Sequence, residues 1–195
     1  MNALRVGPQP ISRLRGRLGT IALMVVLAAS IAAIAWYVDQ PATGAGTGTD
    51  AAYAAPPKAG DLAPDIQATT VDGTQIRLSD YRGKPVWLTF GASWCADCRA
   101  EAPDLEATYE QFKARGLVVL GIFKWEDAQA VRDYAGRVGF TFIMVADPRG
   151  AISDSYHNLG LPTHFFIAPD GVIREVRLGG LSPAEMARLV ATVME

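Results

Sequence analysis

Two cysteines and two histidines are the whole supply of those residues in 195 positions. So few cysteines exclude a small scaffold held together by several bridges. A zinc centre takes about four ligands at set spacings, and Cys95, Cys98, His157 and His164 match no such pattern, so no metal is expected. No block of like charge occurs either, since 18 basic and 20 acidic residues leave a net charge of −2. That balance excludes a basic nucleic-acid surface and a solvated acidic tail. Internal repeats are absent, which removes solenoids and propellers. The charge average conceals one uneven stretch: residues 1–38 hold four arginines and no acid, leaving 14 basic against 20 acidic residues beyond them.

That stretch contains 20 uncharged residues at 19–38, rich in Ala, Ile, Leu and Val. At a helical rise of ~1.5 Å per residue the run matches a hydrocarbon core ~30 Å thick. Arg5, Arg13, Arg15 and Arg17 precede it and Asp39 and Asp50 follow, so the positive-inside bias keeps the N-terminus in the cytoplasm and exports the rest. The expected organisation is a cytoplasmic basic tail at 1–18, a transmembrane anchor at 19–38, a flexible linker at 39–60 and a folded domain at 61–195. The protein would then be single-pass in the inner membrane, with its domain on the extracytoplasmic, periplasmic side. A cleaved signal peptide ending at Ala33-Ile34-Ala35 is the competing reading. Trp36, Tyr37 and Val38 continue the apolar run as an interfacial belt and favour the anchor. As a flexible coil, the linker from residue 40 spans roughly 25 Å.

Beyond residue 60 short apolar runs alternate with helical periodicity. Residues 65–70 and 75–78 flank the turn signal Val71-Asp72-Gly73 and predict a leading hairpin. Residues 85–90 and 117–123 are apolar runs of strand length. Between them Ala102, Leu105, Tyr109 and Phe112 recur at helical steps, predicting a helix over about 95–115 closed by Gly116. Asp127 caps a second helix with Val131, Tyr134, Ala135 and Val138 on its apolar face and Gly139 as its stop. Strands are expected at 140–145 and 163–168, the latter turning through Pro169-Asp170-Gly171 into 172–178. Ser182-Pro183-Ala184-Glu185 starts a closing helix with a serine cap, Pro at the first helical position and Glu at the third. The pattern gives one α/β domain, with Trp87, Phe90, Phe123, Phe165 and Phe166 in its core.

Cysteines at i and i+3 on the first turn of a helix have Cβ atoms ~5–6 Å apart, within reach of a disulfide. Such a bond closes almost no loop and contributes little to folding, so redox cycling explains the pair better than a structural staple. A helix N-terminus favours a thiolate, which makes Cys95 the attacking sulfur. Cys98, one turn inside, is shielded from a bulky partner and positioned to resolve the mixed disulfide from within. Two inert buried cysteines are the other reading; Trp94 beside the pair and an exported location favour the redox one.

With these motifs the chain resembles the thioredoxin superfamily, and within it the membrane-anchored TlpA/ResA-like thiol-disulfide oxidoreductases, over roughly residues 61–195. The resemblance rests on Gly91-Ala92-Ser93-Trp94-Cys95-Ala96-Asp97-Cys98-Arg99-Ala100-Glu101-Ala102-Pro103 and on Gly160-Leu161-Pro162-Thr163-His164-Phe165-Phe166-Ile167-Ala168-Pro169-Asp170-Gly171. It implies a thioredoxin-like fold: a central mixed sheet flanked by helices, with an N-terminal hairpin and a central helical insertion, preceded by one transmembrane helix. It implies a bend at Pro103, because proline inside a helix costs ~3 kcal/mol. It also implies that Pro162 follows a cis bond and faces the disulfide, so that Trp94, Leu161 and Pro162 bind an extended substrate segment.

Two departures from the family pattern bear on mechanism. Thr89, six residues before Cys95, stands where ordinary thioredoxins carry a buried aspartate, and threonine cannot titrate usefully. The resemblance offers Glu126 instead, expected half-buried beneath the disulfide to take or give the thiol proton; the alternative is an acid decorating a helix N-terminus. Asp97, between the cysteines, disfavours a thiolate at Cys95 and points to a more reducing couple. His164 is left as a packed or solvated residue and Arg99 as a solvated one.

The expected function is an extracytoplasmic reductase of disulfides in exported client proteins, an enzyme with no cofactor beyond the Cys95–Cys98 pair. The resemblance implies apocytochrome c before haem attachment, or a copper-site protein, as client, and a transmembrane thiol protein as electron donor. A disulfide oxidase or isomerase differs in its reduction potential. A metallochaperone or binding module on the same scaffold would bind copper or protein without thiol turnover. A peroxiredoxin would show Thr-x-x-Cys, and residues 91–94 contain no threonine.

Overall fold

A computed structural model describes residues 24–31, 33, 55–158 and 160–194. The chain divides into two units, Met1–Asp50 and Ala51–Glu195. In the first, residues 24–31 and 33 are helical, with Met24, Val25, Val26, Leu27 and Ile31 exposed. Among the described residues no helix is long and apolar enough to cross a membrane. The basic tail, the rest of the expected anchor at 19–38, residues 34 and 35 of the alternative cleavage motif, and the linker up to residue 54 lie outside the described residues.

The second unit begins with β1 (Gln67–Thr69) and β2 (Gln75–Arg77), paired antiparallel through Ala68 and Ile76. Asp72 takes the N–H of Thr74 and the hydroxyl of Thr70, and Gly73, at φ 93°, supplies the left-handed residue of the turn. A 3₁₀ turn at Leu78–Tyr81 leads into β3 (Val86–Gly91), α1 (Ala96–Lys113), β4 (Val118–Lys124), α2 (Ala128–Val138) and β5 (Ile143–Asp147). Then come α3 (Ala151–Ser155), β6 (Thr163–Ile167), β7 (Ile173–Leu178) and α4 (Pro183–Ala191). The main sheet runs β5-β4-β3-β6-β7, with β3, β4 and β5 parallel, β6 antiparallel to β3, and β7 antiparallel to β6. A mixed sheet with flanking helices, a leading hairpin and a helix between β4 and β5 is what the thioredoxin resemblance implied.

Strand alternation sends Val86, Leu88 and Phe90 of β3, and Phe165 and Ile167 of β6, to one face, where Ile66, Ile76, Leu78 and Tyr156 cover them. Trp87 and Phe166 go to the other face, under Leu105 and Phe112 of α1 and Met186, Leu189 and Val190 of α4. Full burial of side chains of this size contributes ~1.5–3 kcal/mol each. Phe123 packs separately with Val131 and Tyr134 of α2. All five aromatics assigned to the core are buried. Pro103 lies inside α1 with its ring exposed, so the missing N–H falls on the solvent side.

Two elements differ from the sequence expectation. β5 starts at Ile143 rather than 140, because Glu106 takes the N–H of Thr141 (3.0 Å) and Phe140 folds onto Phe142, with ring centroids 4.5 Å apart. The five-residue α3 was not foreseen, being too short to show a period. It is nucleated by buried Asp147, whose carboxylate accepts from the N–H of Ile152 (3.2 Å) and from the N–H (2.9 Å) and hydroxyl (2.8 Å) of Ser153.

Candidate active site

Cys95 is the N-cap of α1. Its backbone is extended (φ −75°, ψ 123°), and its Sγ accepts the N–H of Cys98 at 3.2 Å. The two cysteines are joined by a disulfide, with their Cα atoms 5.3 Å apart. Both are equally buried, but they look in opposite directions. Cys95 lines a surface groove with Trp94, Asp97, Lys124, Trp125 and Leu161. Cys98 lines a separate, smaller cavity with Thr89, Glu101 and Tyr134.

The groove gathers most of the residues assigned to substrate. Trp94 is 52% exposed and stacks on Trp125, itself 61% exposed, with centroids 6.0 Å apart and planes 14° from parallel. The Leu161–Pro162 bond is cis, and Leu161 packs against Ala92 and both cysteines. Pro162 is buried directly behind Leu161, and its carbonyl accepts the N–H of Gly179 at 2.8 Å, which ties the loop to the end of β7. Trp125 was not singled out in the sequence. Its φ of 61° is unusual for a bulky residue, and the Lys124 ammonium lies 4.6 Å from its ring centroid.

Glu126 is buried, as part of the loop between β4 and α2, and turned toward Ser93. It accepts the Ser93 N–H at 2.7 Å and the Ser93 hydroxyl. Arg99 donates to the Ser93 carbonyl at 3.0 Å, so the residue ahead of Trp94 and Cys95 is held from three sides. Glu126, expected beneath the disulfide, is thus committed to the approach loop. The carboxylate that shares a cavity with Cys98 is Glu101, three residues further along α1 and 6% exposed. Its signal was present in the sequence: residues 98, 101, 102 and 105 share one helical face, and Glu101 interrupts that otherwise apolar stripe.

The cavity measures about 30 Å³, and a site of ~10–15 Å³ already admits one water molecule. Tyr134 Oη, on its wall, has no hydrogen-bond partner, and burial pushes that phenol above its ordinary pKa. Glu101 Oε2 accepts the N–H of Leu181 at 3.1 Å and lies 3.5 Å from Nε2 of His164. His164 has no exposed surface, so it is packed rather than solvated. Its Nδ1 faces the indole N–H of Trp87 at 3.3 Å and Thr89 Oγ1 at 3.1 Å. Among the described residues no three Cys, His, Asp or Glu side chains gather as a metal site. The arrangement can exchange a disulfide at the groove and move a proton at the cavity.

The AhpC/TSA family model matches residues 59–176. A thiol-disulfide oxidoreductase ResA of Geobacillus kaustophilus is 33% identical over 134 residues, which span 69% of this chain and 77% of that one. Among solved structures, a thiol:disulfide interchange protein of the thioredoxin family from Chlorobium tepidum aligns with a TM-score of 0.62 at 27% identity, covering 73% of this chain and 99% of its own. A secreted disulfide oxidoreductase of Mycobacterium tuberculosis, homologous to Escherichia coli DsbE, aligns with a TM-score of 0.60 at 27% identity, covering 65% and 95%.

Proposed function

The chain belongs to the AhpC/TSA family, among the ResA thiol-disulfide oxidoreductases, and from that premise we propose that it is an extracytoplasmic, membrane-anchored reductase of protein disulfides. One observation carries the reading: the two sulfurs of one disulfide border different spaces, Cys95 a broad groove open to a client and Cys98 a much smaller cavity lined by a carboxylate.

In the reducing direction the enzyme enters as a dithiol. The Cys95 thiolate, favoured by the free N–H groups of the first turn of α1, attacks one sulfur of a client disulfide. A Cys95–client bond forms, and the client's other sulfur leaves as a thiolate and is protonated. Cys98 passes its proton to Glu101, directly or through a water in the cavity, and the Cys98 thiolate attacks Cys95 Sγ. The Cys95–Cys98 bond forms, and the client's first sulfur leaves as a thiolate and takes a proton. The client has gained two electrons and two protons, and the enzyme is in the disulfide state. Trp94 and Leu161 hold the extended client segment, with buried Pro162 setting the position of Leu161, while Glu126 and Arg99 keep the loop carrying Trp94 in place through Ser93.

Exposed Asp97, inside the first turn, opposes negative charge on Cys95 and supports the reducing direction. The arginine-rich start of the chain and the apolar stretch after it support a single-pass anchor with the domain outside the cytoplasm. Clients would be exported proteins whose cysteines must be reduced before haem or copper is loaded, and a transmembrane thiol protein would return the two electrons. The test is the equilibrium reduction potential of the Cys95–Cys98 pair in full-length protein in detergent. A value near the ~−270 mV of thioredoxin is expected, and one near the ~−120 mV of a strong oxidant overturns the reductase reading.

A further inference from the structure

We propose that His164 is a positioning residue for Glu101: its Nε2–H holds the carboxylate ionised and oriented for Cys98, setting the pH range over which the mixed disulfide is resolved. This rests on the role given to Glu101 above.

The tautomer follows from the neighbours. The indole N–H of Trp87 is only a donor, so the Nδ1 it faces at 3.3 Å must carry the lone pair. The proton of the neutral ring therefore sits on Nε2, which has no hydrogen-bond partner within ordinary reach and faces Glu101 Oε2 at 3.5 Å. A buried N–H without an acceptor is costly, and the carboxylate is the acceptor in front of it. The register adds a second point. Thr89 and His164 are directly paired across β3 and β6, and Thr89 lines the cavity of Cys98 and Glu101, so strand pairing holds the imidazole at the level of that cavity.

Other polar groups surround the pair. α1 contributes Cys98 and, one turn before Glu101, exposed Asp97; β3 contributes Trp87 and Thr89; α2 contributes Tyr134. The segment before α4 gives the Leu181 N–H to Glu101. On β7, Arg177 is the register partner of His164, but its guanidinium is drawn off to Glu175 at 2.7 Å. Tyr134 Oη is also unpaired on the cavity wall, but it is His164 whose unpaired nitrogen lies 3.5 Å from the carboxylate.

The test uses full-length reduced protein in detergent and 5,5′-dithiobis(2-nitrobenzoate). The first release of thionitrobenzoate reports attack by Cys95, and the second reports resolution by Cys98. His164→Phe should move the pH profile of the second release upward by about one unit, a tenfold loss on its acid limb, and leave the first unchanged. His164→Gln, which retains an N–H donor, should restore most of it. Trp87→Phe, which frees the tautomer while keeping the bulk, should give a smaller shift of the same sign and decides the matter if His164→Phe does not fold. In a Glu101→Gln background His164→Phe should add nothing. An unmoved second-release profile in the folded variant, or the same shift with Gln at 101, overturns the proposal. If Glu101→Gln alone leaves the second release untouched, it is the role of Glu101 that fails, and the role of His164 with it.

Discussion

On the sheet face that meets the hairpin, β3 and β6 present Val86, Leu88, Phe90, Phe165 and Ile167; on the face that meets α1 and α4 they present Trp87 and Phe166 together with Thr89 and His164. Burial is equally deep on both sides. The polar residues of the second face are adjacent to one another, at the end of the strands where α1 brings Glu101 and Cys98. One face can therefore be altered to test stability and the other to test chemistry. The divide between them is the plane of a single sheet.

The largest effect should come at the sulfurs. Cys95→Ser should abolish reduction of a disulfide substrate, whereas Cys98→Ser should accumulate a Cys95-linked mixed disulfide visible by intact-mass measurement; full turnover by either variant would break the assignment of roles. Next, Phe90→Ala on the apolar face should cost about 3–5 kcal/mol in urea unfolding while the folded fraction keeps its thiol kinetics. A kinetic change in that fraction would erase the contrast between the faces. Glu101→Gln should do the reverse, slowing resolution about 10²-fold with little change in the unfolding midpoint. Trp125→Ala should raise KM for a peptide disulfide severalfold and leave kcat in place, because the ring shapes the groove and takes no part in the sulfur exchange. The smallest effect should be Ser182→Ala, which removes the cap of α4 at about 1 kcal/mol and leaves the redox site alone.

The pH dependence of stability should be separable from that of resolution. Asp72 is held below the usual carboxylate range first by the Thr70 hydroxyl and then by Thr74, and Asp170 first by the Val172 N–H and then by Arg174. Carboxylates so lowered stabilise the fold fully above the ordinary carboxylate range, and that support is lost as the pH falls through the range and below it. Thermal stability should therefore weaken as the pH falls through the carboxylate range, and again in strong base, where the buried phenols of Tyr134 and Tyr156 resist the ionisation the unfolded chain allows, whereas substitutions at Glu101 and His164 should move the resolution profile.

Local patterns carried most of this in the sequence. The i, i+3 spacing gave the disulfide, the Asp-Gly turn gave the hairpin, and the spacing of Ala102, Leu105 and Phe112 gave α1 to within two residues of its ends. Glu101 is legible as the one acid on that apolar stripe, whereas the partner of Glu126, Ser93, lies 33 residues away and leaves no local signal. His164 could be seen to alternate inward with Phe166, but its pairing with Thr89 is a matter of strand register, which no single strand encodes. The start of β5 was misplaced for a similar reason, since Glu106, on a distant helix, claims the backbone of Thr141.

The chain enters its second unit at the end of β7 far from the disulfide. Gly60 donates to the carbonyl of Ile173 and Leu62 bridges Val172, at the beginning of β7, whereas Gly179, just past its other end, holds the carbonyl of Pro162. At ~3.3 Å per residue the two ends of β7 are ~20 Å apart. The segment that enters the domain thus lies at the pole opposite the reactive sulfurs, and a client can reach the disulfide without meeting it.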